Sequence, residues 1–323
     1  MRIAKILGLL VALVGLMVVG GFVFILTSYP DVAPAPQIDV ARTPAQIERG
    51  QYLAEQVTVC QTCHTPRDYS MFAGPIKQDR LGAGGERWDQ SMGLPGVLYA
   101  DNITPAALGE WTDGEILRAF TSGVSRDGTA LFPLMPYHAY GRMDVADAEA
   151  IVAYLRQIPA IEHDVPDRSL DPPLNLVVRL MPQQADPQPV PSTSDELTYG
   201  EYVTTIAACS ACHTPLTTDG QPVVEMGYAG GHEYPLPTGG IVRAANITPH
   251  EASGIGSWSR EQFIARFRAM NGARESVAPG AFNTVMPWTD YGKMTEQDLG
   301  AIYTYLMSLP AIDHFVVRFT PGI

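Results

Sequence analysis

Basic residues are scarce in this chain of 323 residues: 21 Lys and Arg stand against 34 Asp and Glu, a formal net charge of −13. Such an acidic balance argues against nucleic acid and against adhesion to an anionic membrane surface as partners. Runs of alternating apolar and polar residues are missing, which argues against a sheet-based architecture. Cysteine is scarcer still, at four residues. What the chain has in quantity is apolar material, 46% of residues, in a length beyond the usual size of one compact domain.

All four cysteines fall in two pentapeptides, Cys60-Gln-Thr-Cys63-His64 and Cys209-Ser-Ala-Cys212-His213. A histidine directly after each Cys-x-x-Cys pair is the spacing of covalent haem c attachment. The two sulfurs form thioethers to haem vinyl groups and the histidine ligates the iron from the proximal side. A structural zinc site needs four converging ligands, and a redox dithiol needs no histidine after each pair. A disulfide within each pair fails to explain why similar sequence surrounds both. The cofactors expected are two covalently bound haem c groups.

The chain is also an internal duplication. Asn102-Ile-Thr-Pro105 recurs as Asn246-Ile-Thr-Pro249, Gly109-Glu-Trp111 as Gly256-Ser-Trp258, and Met135-Pro136 as Met286-Pro287. Two similar domains are expected, 44–163 and 195–323, all-α in class. Apolar residues at helical spacing predict closing helices over Asp147–Ile158 and Asp298–Leu309, with a third amphipathic helix from Trp111 and from Trp258.

Met135 and Met286 are the candidate sixth ligands, each followed by a proline that stiffens the loop presenting the sulfur. A second repeated pair, Met143 and Met294, precedes helix starts at the position of a hydrophobic staple and is read as packing. His138, three residues after Met135, is the rival ligand, with Asp290 taken as its counterpart near Met286. Asn102, Trp111, Asn246 and Trp258 are candidate propionate contacts, although turn hydrogen bonding and core filling explain the same residues.

The N-terminus carries an uncharged apolar run from Ile6 to Leu26, close to the ~20 residues that span a bilayer. Arg2 and Lys5 precede it, which places the N-terminus in the cytoplasm and the rest in the periplasm. A retained anchor over 1–27 is favoured over a cleaved signal peptide. A Pro-rich tether follows over 28–43, and a Pro-rich interdomain linker over 164–194. Within that linker Leu174–Met181 is too apolar for a free tether, so it is expected to pack on a domain surface.

The stretch Gly239-Gly-Ile-Val-Arg-Ala-Ala-Asn-Ile-Thr-Pro249, then Gly254-Ile-Gly-Ser-Trp-Ser and Met286-Pro-Trp, resembles the cytochrome c subunits of membrane-bound bacterial alcohol and gluconate-type dehydrogenases. The resemblance implies two tandem class I cytochrome c-like domains, with His64 and His213 proximal and Met135 and Met286 distal. It implies a relay of single electrons from a donor, such as a periplasmic dehydrogenase subunit, to a downstream acceptor protein, without enzymatic activity of its own. Two attachment motifs stand here where that family typically has three. A dihaem cytochrome c peroxidase is the rival from another class, but both halves offer a Met-Pro and no unpaired acid-base cluster is evident. A haem c subunit of a terminal oxidase would be the same chemistry with another partner.

Overall fold

The computed structural model describes residues 2–218 and 220–322. In each half an entry helix, Pro44–Tyr52 or Glu196–Ile206, crosses a closing helix, Val145–Leu155 or Glu296–Ser308. Glycine makes the crossing close: a Cβ on Gly50 would lie 1.8 Å from the Ala150 carbonyl oxygen, and one on Gly200 would lie 2.0 Å from that of Ala301. The closing helices start where their caps dictate, with the side chains of Asp144 and Thr295 accepting from backbone N–H groups of the first turn. The middle helices, Asp113–Ser122 and Arg260–Arg268, open with capping boxes, Thr112 with Glu115 and Ser259 with Gln262. Met143 and Met294 are both buried in the hydrophobic core, as packing residues should be.

The all-α expectation needs amendment. Each half also carries a small antiparallel sheet, β1 (Arg87–Asp89), β2 (Gly96–Tyr99) and β3 (Ser169–Leu170) in the first, β4 (Glu233–Pro235), β5 (Ile241–Arg243) and β6 (Phe319–Thr320) in the second. These strands have two to four residues, too few for an alternating pattern to register. Ser169 pairs with Val97 and Leu170 with Gly96, so the start of the Pro-rich linker adds a strand to the sheet of the first half.

The Pro-rich tether is extended, as expected, and is seated on the body. The backbone of Pro36 passes so close over Gly114 that a Cβ there would sit 1.8 Å from its carbonyl oxygen. The N–H of Val40, itself buried, donates to Asp113 Oδ2 at 2.9 Å. The linker packs too: Val178 is buried, and the N–H groups of Gln183 and Asp186 donate to the carbonyls of Ser122 and Gly141.

The N-terminal helix, Arg2–Ser28, is long and apolar enough to cross a membrane, and none of its most apolar stretch is buried in the protein. Its C-terminal end is held by the linker, where Arg179 Nη2 donates to the carbonyls of Leu26 (3.0 Å) and Tyr29 (2.7 Å).

The halves meet through a reciprocal exchange of tyrosines. Tyr202 of the second entry helix donates to Asp147 Oδ2 of the first closing helix at 2.8 Å and accepts from the Asp144 N–H. Its counterpart Tyr52 does the same in the other direction, donating to Asp298 and accepting from the Thr295 N–H. Each aspartate is completed from its own half, Asp147 by Arg49 and Asp298 by Tyr199.

Candidate haem attachment sites

Each attachment motif forms one short helix, Cys60–His64 and Cys209–His213, entered through a left-handed residue. Val59 has φ 48° and Ala208 has φ 53°. A β-branched valine rarely holds that conformation, and such strain persists only where its surroundings impose it. The imposing contacts repeat in both halves: Tyr140 donates its hydroxyl to the Thr58 carbonyl at 2.7 Å, and Tyr291 donates to Ala207 at 2.9 Å.

The motif histidines are held in one tautomer. A carbonyl oxygen can only accept, so the 2.7 Å contacts of His64 Nδ1 with Asp101 O and of His213 Nδ1 with Ala245 O put the ring proton on Nδ1. Nε2 then carries the lone pair a metal needs, and the second hydrogen bond fixes the ring plane. Burial holds His213 neutral, its pKa lowered to about 4. Backbone bonds from the Gly84 N–H to the His64 carbonyl and from the Gly230 N–H to that of His213 bind the same loops together. Both are glycines because a Cβ would lie 2.6 Å and 2.3 Å from the chain at 100–102 and at Ala245.

The four thiols are free. Those of Cys63 and Cys212 are open to solvent, yet burial among surrounding protein pushes every one of them up, Cys63 to about 11 and Cys209 to about 12. Two thiols and one metal-ready imidazole on one short helix fit a thioether-bound haem. Among the described residues no group of three or more His, Cys, Asp or Glu converges as a metal site, so these donors do not make one without a porphyrin.

Met135-Pro136 and Met286-Pro287 share one geometry. Pro136 (φ −78°, ψ 57°) and Pro287 (φ −77°, ψ 60°) each centre an inverse γ-turn, closed by Tyr137 N–H to Met135 O and Trp288 N–H to Met286 O. Both methionines are half-buried. The helices place Thr289, not Asp290, opposite His138, because Tyr137–Tyr140 matches Trp288–Tyr291 residue for residue. His138 itself is exposed and is engaged with Gln183 of the linker. His163 and His314 are half-buried and bond the carbonyls of Ala83 and Ala229, His232 contacts Tyr234, and His250 contacts Ser253.

Asn102 and Asn246 are engaged with the backbone. Asn102 donates to Ile161 O at 2.9 Å and to His163 O at 3.4 Å, and Asn246 donates to Ile312 O at 2.8 Å and to His314 O at 3.4 Å. Their Oδ1 atoms accept from Thr104 and Thr248. These asparagines pin the chain beyond each closing helix, and the residue before each supplies the carbonyl that orients the motif histidine. Trp111 and Trp258 are half-buried against the core with no hydrogen bond to either indole N–H among the described residues.

The halves differ in cover. Gln61 and Thr62 of the first motif are buried, whereas Ser210 and Ala211 of the second are exposed. The second half also reaches the chain just after the first motif: Arg67 donates to Val285 O, beside Met286, and Asn283 bonds the backbone of Tyr69, Met71 and Ala73.

No family model matches the chain. Its homologues over most of its length are cytochrome c subunits of quinone alcohol, fructose and gluconate dehydrogenases, with a dihaem c-type cytochrome matching a shorter stretch. The cytochrome c subunit of an alcohol dehydrogenase (quinone) from Komagataeibacter europaeus is 29% identical over 293 residues, covering 84% of this chain and 58% of the relative. The cytochrome subunit of a fructose dehydrogenase from Gluconobacter japonicus is 29% identical over 277 residues, 82% of this chain and 53% of the relative. A dihaem cytochrome c-type protein of Cereibacter sphaeroides is 35% identical over 117 residues, 36% of each chain. The chain thus spans a little over half the length of the dehydrogenase subunits it matches.

Proposed function

We propose that this chain is a membrane-anchored, periplasmic relay cytochrome of two class I c-type domains, passing single electrons from a dehydrogenase to a downstream acceptor. The observation that carries the reading is the pair of motif histidines, each with Nδ1 donated to a carbonyl and Nε2 left free beside two cysteines. Bound haem c supplies a one-electron Fe(III)/Fe(II) couple. Cys60 and Cys63 would hold one group with His64 proximal and Met135 distal. Cys209 and Cys212 would hold the other with His213 and Met286. With both ligands in place there would be no open site for a substrate, and no substrate bond would be broken on this chain.

Several features support the rest of the reading. The reciprocal tyrosines hold the two halves in one orientation, as internal transfer requires. The exposed Ser210 and Ala211 give the second motif a face for a redox partner, while the first is covered by the second half. The apolar helix Arg2–Ser28 would span the membrane, and the Arg179 clamp at its end would hold the body close to the bilayer.

Near-infrared magnetic circular dichroism of the oxidised protein, purified from membranes with its haem counted as the pyridine haemochrome, tests this reading. Two His/Met signals are expected, one lost in Met135→His and the other in Met286→His. A high-spin centre, or a bis-His signal before any substitution, would overturn the relay and favour peroxide chemistry.

A further inference from the structure

The segments that lead into the two repeated methionines are held differently. Before Met135 the chain is tied within its own half: the Leu131 N–H donates to the Gly123 carbonyl, and Leu134, beside the methionine, is exposed. Before Met286 it is tied to the other half, and Arg67 makes the tie. The Arg67 guanidinium donates from Nε to Gly74 O at 2.7 Å, from Nη2 to Ala73 O, and from both terminal nitrogens to Val285 O at 3.2 Å. It rests on the Tyr69 ring, 4.8 Å from the centroid. Arg67 stands three residues after His64, and Val285 directly precedes Met286. One side chain thus joins the chain leaving the first attachment motif to the candidate distal ligand of the second.

The surroundings are built around this contact. Asn283, fully buried, accepts from the Ala73 N–H at 2.8 Å and donates to Tyr69 O at 3.0 Å and Met71 O at 3.1 Å. Ala73 is therefore gripped from both sides, by Asn283 at its N–H and by Arg67 at its carbonyl, and it is left-handed, with φ 61°. A residue other than glycine keeps that conformation where its surroundings impose it. Met286 donates its own N–H to Thr284 Oγ1 at 3.1 Å. Two backbone bonds, Phe72 N–H to Glu275 O and Val277 N–H to Ser70 O, close the same junction. The other repeat does not copy it. Leu216 takes the place of Arg67 after the second motif, the two residues bridging to Pro222 and to Ile76 across their loops. Leucine has no donor to offer, Leu216 is exposed, and its loop, 217–221, is shorter than 68–75.

A thioether is a weak, neutral acceptor, so its hold on a metal depends on the groups that orient it. We propose that Arg67 is a positioning residue that keeps Met286 on the second iron, so that the first half governs the ligation of the second haem and the second half has no such hold on the first. The proposal rests on the relay reading. Methionine ligation raises a haem potential, so loosening this loop lowers the potential of the second haem alone.

The test uses the full holoprotein as Arg67→Leu, which copies the residue of the other repeat, and as Arg67→Lys, with haem content, near-infrared magnetic circular dichroism, midpoint potentials and imidazole binding measured in each. Met135→His and Met286→His assign the two signals. Arg67→Leu should keep two haems, weaken the Met286 signal, lower one potential and let imidazole displace Met286 at a concentration about tenfold lower, as the loss of a hydrogen bond or two implies. The Met135 signal should stay as it was, and Lys, which still donates to one carbonyl, should recover part of the change. Unaltered signals and imidazole binding in a fully loaded Arg67→Leu, or an equal change at the first haem, would overturn the proposal and leave the relay standing. Should Arg67→Leu fail to load, Arg67→Lys decides: a weakened Met286 signal supports the proposal, whereas two intact signals or a second failure to load would reduce Arg67 to a folding role and overturn it. A wild-type protein with no Met286-dependent signal would overturn the relay reading itself.

Discussion

The hydroxyl of Thr62, inside the first attachment motif, donates at 2.9 Å to Oδ2 of Asp290 in the second half. Both residues are buried. The equivalent positions in the reverse direction are Ala211 and Ala139, which offer no such bond, so the otherwise reciprocal interface is tied here once. A hydrogen bond to an acidic group is worth about 1.5–3 kcal/mol. A double-mutant cycle of Thr62→Val and Asp290→Asn, followed by urea unfolding of the holoprotein, should return a coupling of that size. A coupling below about 0.5 kcal/mol would show the two sites to be independent.

Alkaline pH should loosen the same interface. The phenols of Tyr52, Tyr199 and Tyr202 are raised above the ordinary tyrosine range, first by burial and then by the aspartates they donate to. A raised folded-state pKa gives stability that is complete below the unfolded value, about 10, and is lost as pH climbs beyond it. Tm should therefore hold steady up to about pH 10 and then fall. The double variant Tyr52→Phe/Tyr202→Phe should start lower, by about 1 kcal/mol per lost bond, and fall less steeply. A Tm that stays flat past about pH 11 would contradict the assignment.

Gly200→Ala should be among the most damaging single-methyl additions in the chain. Its Cβ would meet the Ala301 backbone oxygen at 2.0 Å, and a backbone atom can give way only if the helices part. Overpacking costs about 1–3 kcal/mol where side chains can adjust, and more is expected here. Gly50→Ala should behave alike against Ala150, while Gly15→Ala, facing open space, should change nothing. Thermal unfolding of the three holoproteins separates these outcomes.

What was legible in the sequence is what chemistry or capping dictates residue by residue. The Cys-x-x-Cys-His spacing singles out Cys60, Cys63 and His64, which the fold gathers on one short helix, and Asp144 and Thr295 announce the closing helices. Interactions made by main-chain atoms leave no such trace. Any residue could supply the Asp101 or Ala245 carbonyl that orients a motif histidine, and β3 and β6 are two-residue strands held only by backbone pairing with β2 and β5. Tyr52 and Tyr202 read as aromatic bulk for a helix crossing, yet their hydroxyls reach across to the other half.

Asn246→Ala distinguishes the two roles considered for the repeated Asn-Ile-Thr-Pro. The substitution removes the donor to Ile312 O and the acceptor for Thr248 N–H and Oγ1, groups that are buried and have few alternatives. Each buried group left unpaired costs about 1–3 kcal/mol. The loss should fall first on the segment that the asparagine pins, so amides over 311–320 should exchange faster, together with those of β5, whose Ile241 and Val242 pair with β6. Hydrogen exchange of the holoprotein reads this directly. The haem potentials should move little, because the substitution changes no charge. A large potential shift with unaltered exchange over 311–320 would reverse the assignment and return the propionate role to the asparagine.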